Sequence, residues 1–317
     1  MQKILNIACF PVEIINIICN NLSLLESLNF LATNSFFMAK IHEIEWNYRI
    51  IRLPSYKYLP RITQFYQFSK YDLRSCSDEN ILKNIYYFDY FINCEYIRLG
   101  WNNQVSNSIL PYFKNCRKII LNSLRITDIG LQNLEKCKYL DISNCCNITG
   151  EGFIYLVNVK KLCFNHCYNY DGTGIEYLKN CQSLSLTNCI NITNFKNFSL
   201  IMNCHTINLT KTKITDIDLQ YIGHIKNITL SGCEITGAGF YHLQTCCYLN
   251  ISGCKNITDA GLQYLKCCRY LNISGCKNIT DAGLQYLINC RKIVIKQCPK
   301  ITNRITYLVD CEIIIYN

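Results

Sequence analysis

Residues 248–265 read YLNISGCKNITDAGLQYL, and residues 270–287 repeat all eighteen without a change. An offset of 22 residues is the length of one small supersecondary unit, and exact recurrence points to a stacked array. Leu249 and Ile251 alternate with Tyr248, Asn250 and Ser252, which is the period of a strand with one buried face. Cys254 follows, then a turn carrying Ile257. Thr258 and Asp259 are cap candidates for a short helix bearing Leu262 and Leu265. Such a unit cannot bury its apolar face alone and must stack on copies of itself.

The frame extends in both directions. Cys254, Cys276 and Cys298 stand 22 apart, and Cys233, Thr212, Cys189, Cys167, Cys145, Leu124 and Asn102 hold the same position at steps of 21 to 23. Two inward residues precede each of these by five and three positions, among them Ile97 and Leu99, Leu140 and Ile142, and Leu184 and Leu186. A second cysteine register lies eight residues ahead of the first: Cys94, Cys116, Cys137, Cys181, Cys204, Cys246, Cys268, Cys290 and Cys311. The frame counts ten repeats, residues 313–316 begin one more strand, and Tyr71, Leu73 and Cys76 mark an atypical unit upstream.

The pattern Leu249-x-Ile251-x-x-Cys254-x-x-Ile257-Thr258-Asp259-x-Gly261-Leu262-x-x-Leu265 resembles the cysteine-containing leucine-rich repeat of F-box/LRR proteins, over roughly three quarters of the chain. The resemblance implies an α/β leucine-rich-repeat solenoid, a horseshoe with a parallel sheet on its concave side and short helices on its convex side. At about 4.8 Å per strand, ten strands make an inner arc of roughly 45–50 Å. At this repeat length each convex helix has room for about two turns. Gly150 and Gly237 replace the capping Asp.

Half of the 317 residues are hydrophobic, enough for a large core. The two registers account for sixteen of the 23 cysteines, so these read as small buried hydrophobes rather than a disulfide framework. In the first register, the cysteine stands where other leucine-rich repeats put Asn, facing the loop backbone of the next repeat. Asn6, Pro11, Glu13 and Asn16 interrupt the apolar N-terminal run, and no stretch of about eighteen apolar residues occurs. Reduced thiols in the cytoplasm or nucleus, no secretion and no membrane partner are the expectations.

Residues 5–50 follow a different grammar. Pro11 fits the first turn of a helix carrying Ile14, Ile18 and Leu22, residues 23–26 form a capping box, and Asn34 opens a third helix with Phe37, Ile41 and Ile44. This order resembles an F-box: Phe10-Pro11-Val12-Glu13-Ile14 matches its opening, spaced hydrophobics continue through Leu28 and Leu31, and Trp46 closes it. Phe10 departs from the family's Leu, as Phe36 and Phe37 depart from its Trp. The resemblance implies a substrate-recognition subunit of a Skp–cullin–F-box ubiquitin ligase, with Phe10, Pro11, Ile14, Ile18 and Leu28 docking on a Skp-type adaptor and through it on cullin. The alternative is a protein–protein interaction scaffold with no ubiquitin-ligase link. Residues 51–93, rich in Tyr, Phe and basic side chains, read as a connector capping the first repeat, and residues 94–317 as the repeats.

The chain carries no Gly-rich phosphate loop, no H-E-x-x-H, no G-x-S-x-G and no C-x-x-C, so neither an enzyme nor a cofactor is expected. Cys163, His166 and Cys167 come nearest to a metal cluster, but the repeat claims Cys167 and turns Cys163 to the concave face. Cys163 beside Lys161 reads either as an activated thiol or as a surface accident. His205, His224 and His242 read as solvated or packed. The outward strand positions give a concave face on which Arg98, Lys118, Tyr139 and Lys161 are candidate substrate-binding residues for an acidic or phosphorylated protein segment. Its bland reading is a solvated surface inherited by duplication. The net charge of +10 raises nucleic acid as a partner, and the five basic residues counted across that face are too sparse for it.

Overall fold

The computed structural model describes residue 26, residues 50–52, 69–74, 89, 91–99, 106–122, 125–302, 308 and 310–316. The helical segment read over residues 5–50, with Phe10, Pro11, Ile14, Ile18 and Leu28, falls almost wholly outside them, as do Cys76, Asn102 and Leu124.

Among the described residues, thirteen parallel strands pair in sequence order in one sheet. They are β1 (Ile51–Arg52), β2 (Lys70–Leu73), β3 (Tyr96–Leu99), β4 (Lys118–Leu121), β5 (Tyr139–Asp141), β6 (Lys161–Cys163), β7 (Ser183–Ser185), β8 (Thr206–Asn208), β9 (Asn227–Thr229), β10 (Tyr248–Asn250), β11 (Tyr270–Asn272), β12 (Lys292–Lys296) and β13 (Glu312–Tyr316). Register follows the frame: Leu249 lies opposite Ile228 on one side and Leu271 on the other. Because neighbouring strands pair without offset, inward residues stack into continuous apolar rows, and Ile97, Leu140, Leu184, Leu249 and Leu271 are all buried. The atypical upstream unit is a strand of the same sheet: Tyr71 and Leu73 on β2 are buried and pair with Ile97 and Leu99.

The strands from β5 to β12 end in a sharp turn. The residue just ahead of the first cysteine register takes a left-handed conformation in repeat after repeat, with φ of 63° at Asn144, 57° at His166, 54° at Lys211 and 76° at Gly253. That conformation aims its N–H at the next repeat. Asn144 donates to the carbonyl of Asn165 at 2.7 Å and Gly253 to that of Ser274 at 2.7 Å.

The convex side differs from the expected two-turn helices. Among the described residues it consists mainly of 3-10 turns, such as Asp128–Leu134 and Glu151–Leu156, with α-helix at α1 (Asp259–Leu262) and α2 (Asp281–Leu284), one turn each. A 3-10 segment advances about 2.0 Å per residue against 1.5 Å in an α-helix, so a short repeat crosses its convex side in fewer residues.

The cap reading of Thr258 and Asp259 also changes. Thr258 is the N-cap residue but makes no side-chain cap bond, and Asp259 reaches onward to Thr280 of the following repeat, at 2.8 Å to its N and 2.6 Å to its Oγ1. The same staple recurs. Asp216 Oδ2 accepts from Thr236 N and Thr236 Oγ1, both at 2.9 Å, and its Oδ1 from Gly237 N at 3.0 Å and Gly239 N at 2.9 Å. Asp128 makes the equivalent four bonds to Thr149, Gly150 and Gly152. Gly150 and Gly237, which stand where other repeats have Asp, are thus held by the carboxylate of the repeat before. Gly239 is required by close approach, because a Cβ there would lie 2.1 Å from the Asp216 carbonyl oxygen.

Both cysteine registers are buried, except that Cys311 is only half-buried. First-register thiols face the preceding repeat, not the next one. Cys254 Sγ donates to the Leu230 carbonyl at 3.0 Å, Cys189 to Phe164 at 3.0 Å and Cys276 to Ile251 at 3.2 Å. Second-register thiols bond at strand starts: Cys137 Sγ to the Tyr139 carbonyl at 3.0 Å and Cys246 to Tyr248 at 3.1 Å. A thiol fits here because it is small, apolar enough for the core, and still a donor to a buried carbonyl.

Candidate interaction surface

Outward residues of successive strands fall into rows. One row runs Tyr96, Lys118, Tyr139, Lys161, Ser183 along β3 to β7. Lysine and tyrosine therefore alternate at strand spacing, and the ammonium groups sit over the rings. Lys118 Nζ lies 5.2 Å from the Tyr96 ring centre and 4.7 Å from that of Tyr139, and Lys161 Nζ lies 5.3 Å from the Tyr139 ring. Each contact contributes on the order of 0.5–1 kcal/mol at an exposed site and holds the lysine stem against the sheet. No described carboxylate pairs with Lys118 or Lys161. Burial, followed by Cys163 4.0 Å from its hydroxyl, pushes the Tyr139 phenol up to about 12, so it stays a neutral donor.

Three of the four residues read from the sequence as substrate-binding, Lys118, Tyr139 and Lys161, thus come together, with Tyr96 as a fourth member. Arg98 stands in the next row, where β2 brings Asp72 opposite it. Asp72 is 5% exposed and pairs with Arg74 at 2.9 Å. Burial alone would raise the Asp72 carboxyl, but the hydrogen bonds and charge of Arg74, with Arg98 beyond, hold it below the usual range. Asp141 holds the same row on β5, so two carboxylates offset Arg74 and Arg98 there, while Lys118 and Lys161 have no acid in their row from β3 to β7. Lys292, also on the face, is tied to Glu312 at 2.9 Å.

The middle of the face is occupied with itself. Asn208 Oδ1 accepts from Thr210 N at 3.0 Å and Thr210 Oγ1 at 2.7 Å, and Asn250 and Asn272 take the N–H of Ser252 and Ser274, each at 3.0 Å. These residues close the turn after their own strand. Tyr248 and Tyr270, one in each copy of the duplicated stretch, stack with centroids 4.2 Å apart at 6°. Cys163 is not an activated thiol: burial first, then the charge of Asp141, raises it above the ordinary cysteine range despite Lys161. His224 Nε2 lies 3.3 Å from the Ile201 carbonyl and His242 packs against Tyr241, as packed histidines do. Among the described residues no three of His, Cys, Asp and Glu could hold a metal ion, and no helix is long and apolar enough to cross a membrane.

A family model described as Leucine Rich repeat matches residues 248–266 and 269–287, the duplicated pair. A search of curated proteins returns no match. Among solved structures, the mouse RP105/MD-1 complex is similar at TM-score 0.58 and 17% identity, over 75% of this chain and 43% of that one. The TLR13–ssRNA13 complex is similar at TM-score 0.53 and 18% identity, over 71% and 40%. An internalin from Listeria monocytogenes aligns over 72% of this chain and 82% of its own, at 17% identity and TM-score 0.48. At such identities the likeness concerns the fold, and the fold is a leucine-rich-repeat solenoid.

Proposed function

We propose that this leucine-rich-repeat solenoid is a protein-interaction scaffold that does no covalent chemistry itself. Its concave face over β3 to β6 takes an acidic or phosphorylated segment of a protein partner. The observation that carries this reading is the Tyr96–Lys118–Tyr139–Lys161 row, where two cations that no described carboxylate pairs are held against aromatic rings, Lys118 between Tyr96 and Tyr139 and Lys161 on Tyr139. Ordering the lysines in advance lowers the entropy lost on binding an anion. Among the similar structures, that of mouse RP105 is a complex with MD-1.

The resemblance of residues 10–46 to an F-box supports a finer reading: the scaffold is a substrate receptor that raises the concentration of its partner at a ubiquitin-charged enzyme, docked through a Skp-type adaptor and cullin in the cytoplasm or nucleus. Two double variants of the full chain separate the parts. Lys118→Gln/Lys161→Gln is expected to lose phosphorylated segments on a peptide array while still binding the adaptor. Pro11→Ala/Ile14→Ala should do the reverse, since removing a central apolar anchor costs about 2 kcal/mol, roughly thirtyfold in affinity. Undiminished peptide binding by the first variant would move the partner site off the row. An adaptor that ignores the wild-type chain would leave the scaffold without a ubiquitin-ligase link.

A further inference from the structure

The residue immediately before each strand belongs to neither the core nor the concave face. These residues form a single file along one edge of the solenoid, and the backbone links them in order. Arg117 N donates to the Glu95 carbonyl at 2.9 Å, Lys138 N to Arg117 at 2.8 Å, Lys160 N to Lys138 at 2.8 Å, Arg269 N to Cys247 at 2.8 Å and Arg291 N to Arg269 at 2.9 Å. Of the ten positions in the file, from Glu95 to Arg291, six are basic: Arg117, Lys138, Lys160, Lys226, Arg269 and Arg291. Five of the six are exposed and Lys160 is half-buried, and none forms an ion pair with a described carboxylate.

The opposite edge is different, because Asp128, Asp216 and Asp259 there are engaged in the staples between repeats. On this edge Lys226 Nζ donates to the Thr245 carbonyl at 3.4 Å, and among the described residues the other five cations take no part in such staples. Where Arg117 and Lys138 are adjacent, Lys136 joins them, and with the amide side chains of Asn93, Asn115 and Asn158 they line a depression of about 600 Å³. Glu95 is the acid on its wall.

We propose that this edge binds single-stranded nucleic acid, with the phosphodiester backbone running along the file. Six cations over ten positions about 4.8 Å apart, in runs of three (Arg117, Lys138, Lys160) and two (Arg269, Arg291) with Lys226 between, form a line that suits a linear polymer with one negative charge per residue. Acidic side chains of a folded protein carry no such fixed spacing, and a lipid surface selects cations spread over a plane. One residue inward from the file stand the strand-starting tyrosines Tyr96, Tyr139, Tyr248 and Tyr270, so bases turned toward the concave face meet aromatic side chains. The sparse charge on the concave face does not bear on this surface, which lies one residue outside it.

The test uses the full chain and a labelled oligouridylate of about 16 nucleotides, within the range of single-strand sites. With six phosphate contacts, the dependence on salt for a single strand corresponds to about 300-fold weaker binding at 200 mM than at 50 mM salt. The triple variant Arg117→Gln/Lys138→Gln/Lys160→Gln should bind more weakly and show only about a 20-fold salt effect. A charge-matched control on the other edge, Lys213→Gln/Lys255→Gln/Lys277→Gln, should bind like wild type, with melting curves showing all three proteins folded. No oligonucleotide binding by wild type, or equal losses in the two triple variants, would overturn the proposal. So would binding to phosphatidylserine vesicles or polyglutamate that matches or exceeds the oligonucleotide, which would make the edge a lipid or acidic-protein surface.

Discussion

Replacing Asp216 with alanine removes two acceptor oxygens and four hydrogen bonds, all of them between one repeat and the next. The donors are Thr236 N, Thr236 Oγ1, Gly237 N and Gly239 N, at 2.9 to 3.0 Å. The backbone donors lie at the start of a 3-10 turn, where N–H groups have no partner within the turn and a negative charge is favoured. A hydrogen bond to a charged group contributes about 1.5–3 kcal/mol when dry. Asp216 is only half-buried, so water recovers much of this, and the whole staple should be worth about 2–3 kcal/mol. Asp216→Asn keeps one acceptor and should cost roughly half as much.

Urea unfolding measures the loss, and amide hydrogen exchange at Gly237 and Gly239 locates it. Asp218→Ala is the control, because Asp218 bonds Thr215 within its own repeat, at 2.9 Å to the N and 2.6 Å to the Oγ1. It should leave the Gly237 and Gly239 amides protected. Burial pushes the Asp216 carboxyl up, but the four donors outweigh it and hold the folded pKa below the ordinary value. The stabilisation is therefore complete above the unfolded pKa of about 3.9 and is lost as pH falls through the lower folded value. The alanine variant should lack that part of the acid dependence. A change under about 0.5 kcal/mol with unaltered exchange would refute the staple.

Tyr170 occupies the position held by Ile148 and Ile192 in the neighbouring repeats; it is fully buried among Phe153 and Phe164, and its hydroxyl has no hydrogen-bond partner. Tyr170→Phe should raise stability by about 1 kcal/mol in urea unfolding, since an unpaired buried hydroxyl costs about 1–3 kcal/mol, and a loss would mean the hydroxyl is satisfied. Burial, the first cause in each case, pushes the thiols of Cys137, Cys204, Cys246 and Cys254 up to about 12. Native alkylation should therefore mark exposed Cys267 ahead of these four, and stability should fall as pH rises above the unfolded thiol value of about 8.5; equal labelling at pH 8 would contradict their burial.

Much of the fold could be read because it is periodic along the chain. Leu249 and Ile251 alternate with polar residues, and two cysteine registers keep step with them, so burial and strand order follow from spacing alone. Contacts between repeats are harder to read, since a side chain and its target are separated by more than twenty residues. Asp259 stands at a helix start, where a local cap is the natural reading, yet its partners are on Thr280. Cys254 reads from the sequence as facing the next repeat, yet its thiol donates to Leu230 of the preceding one. Asn115, Asn158 and Asn180 donate to carbonyls of Ile92, Glu135 and Val157 on the repeat before, at 2.9 to 3.1 Å. Nothing in the local sequence shows which carbonyl such an asparagine meets.

The candidate surfaces divide along the same line. A duplicated unit copies every residue, structural or not, so recurrence by itself does not mark a binding residue. What distinguishes the Tyr96–Lys118–Tyr139–Lys161 row is that no described carboxylate pairs with its lysines, whereas Asp72 and Arg74 one row over neutralise each other. On the edges, the staple aspartates draw the negative charge to the side where repeats are joined. The file from Arg117 to Arg291 on the other side is left with cations that no described carboxylate offsets. The joined edge also carries Lys213, Lys255 and Lys277 beside its aspartates, so its charges are mixed, whereas Glu95 is the one acid among the ten positions of the file.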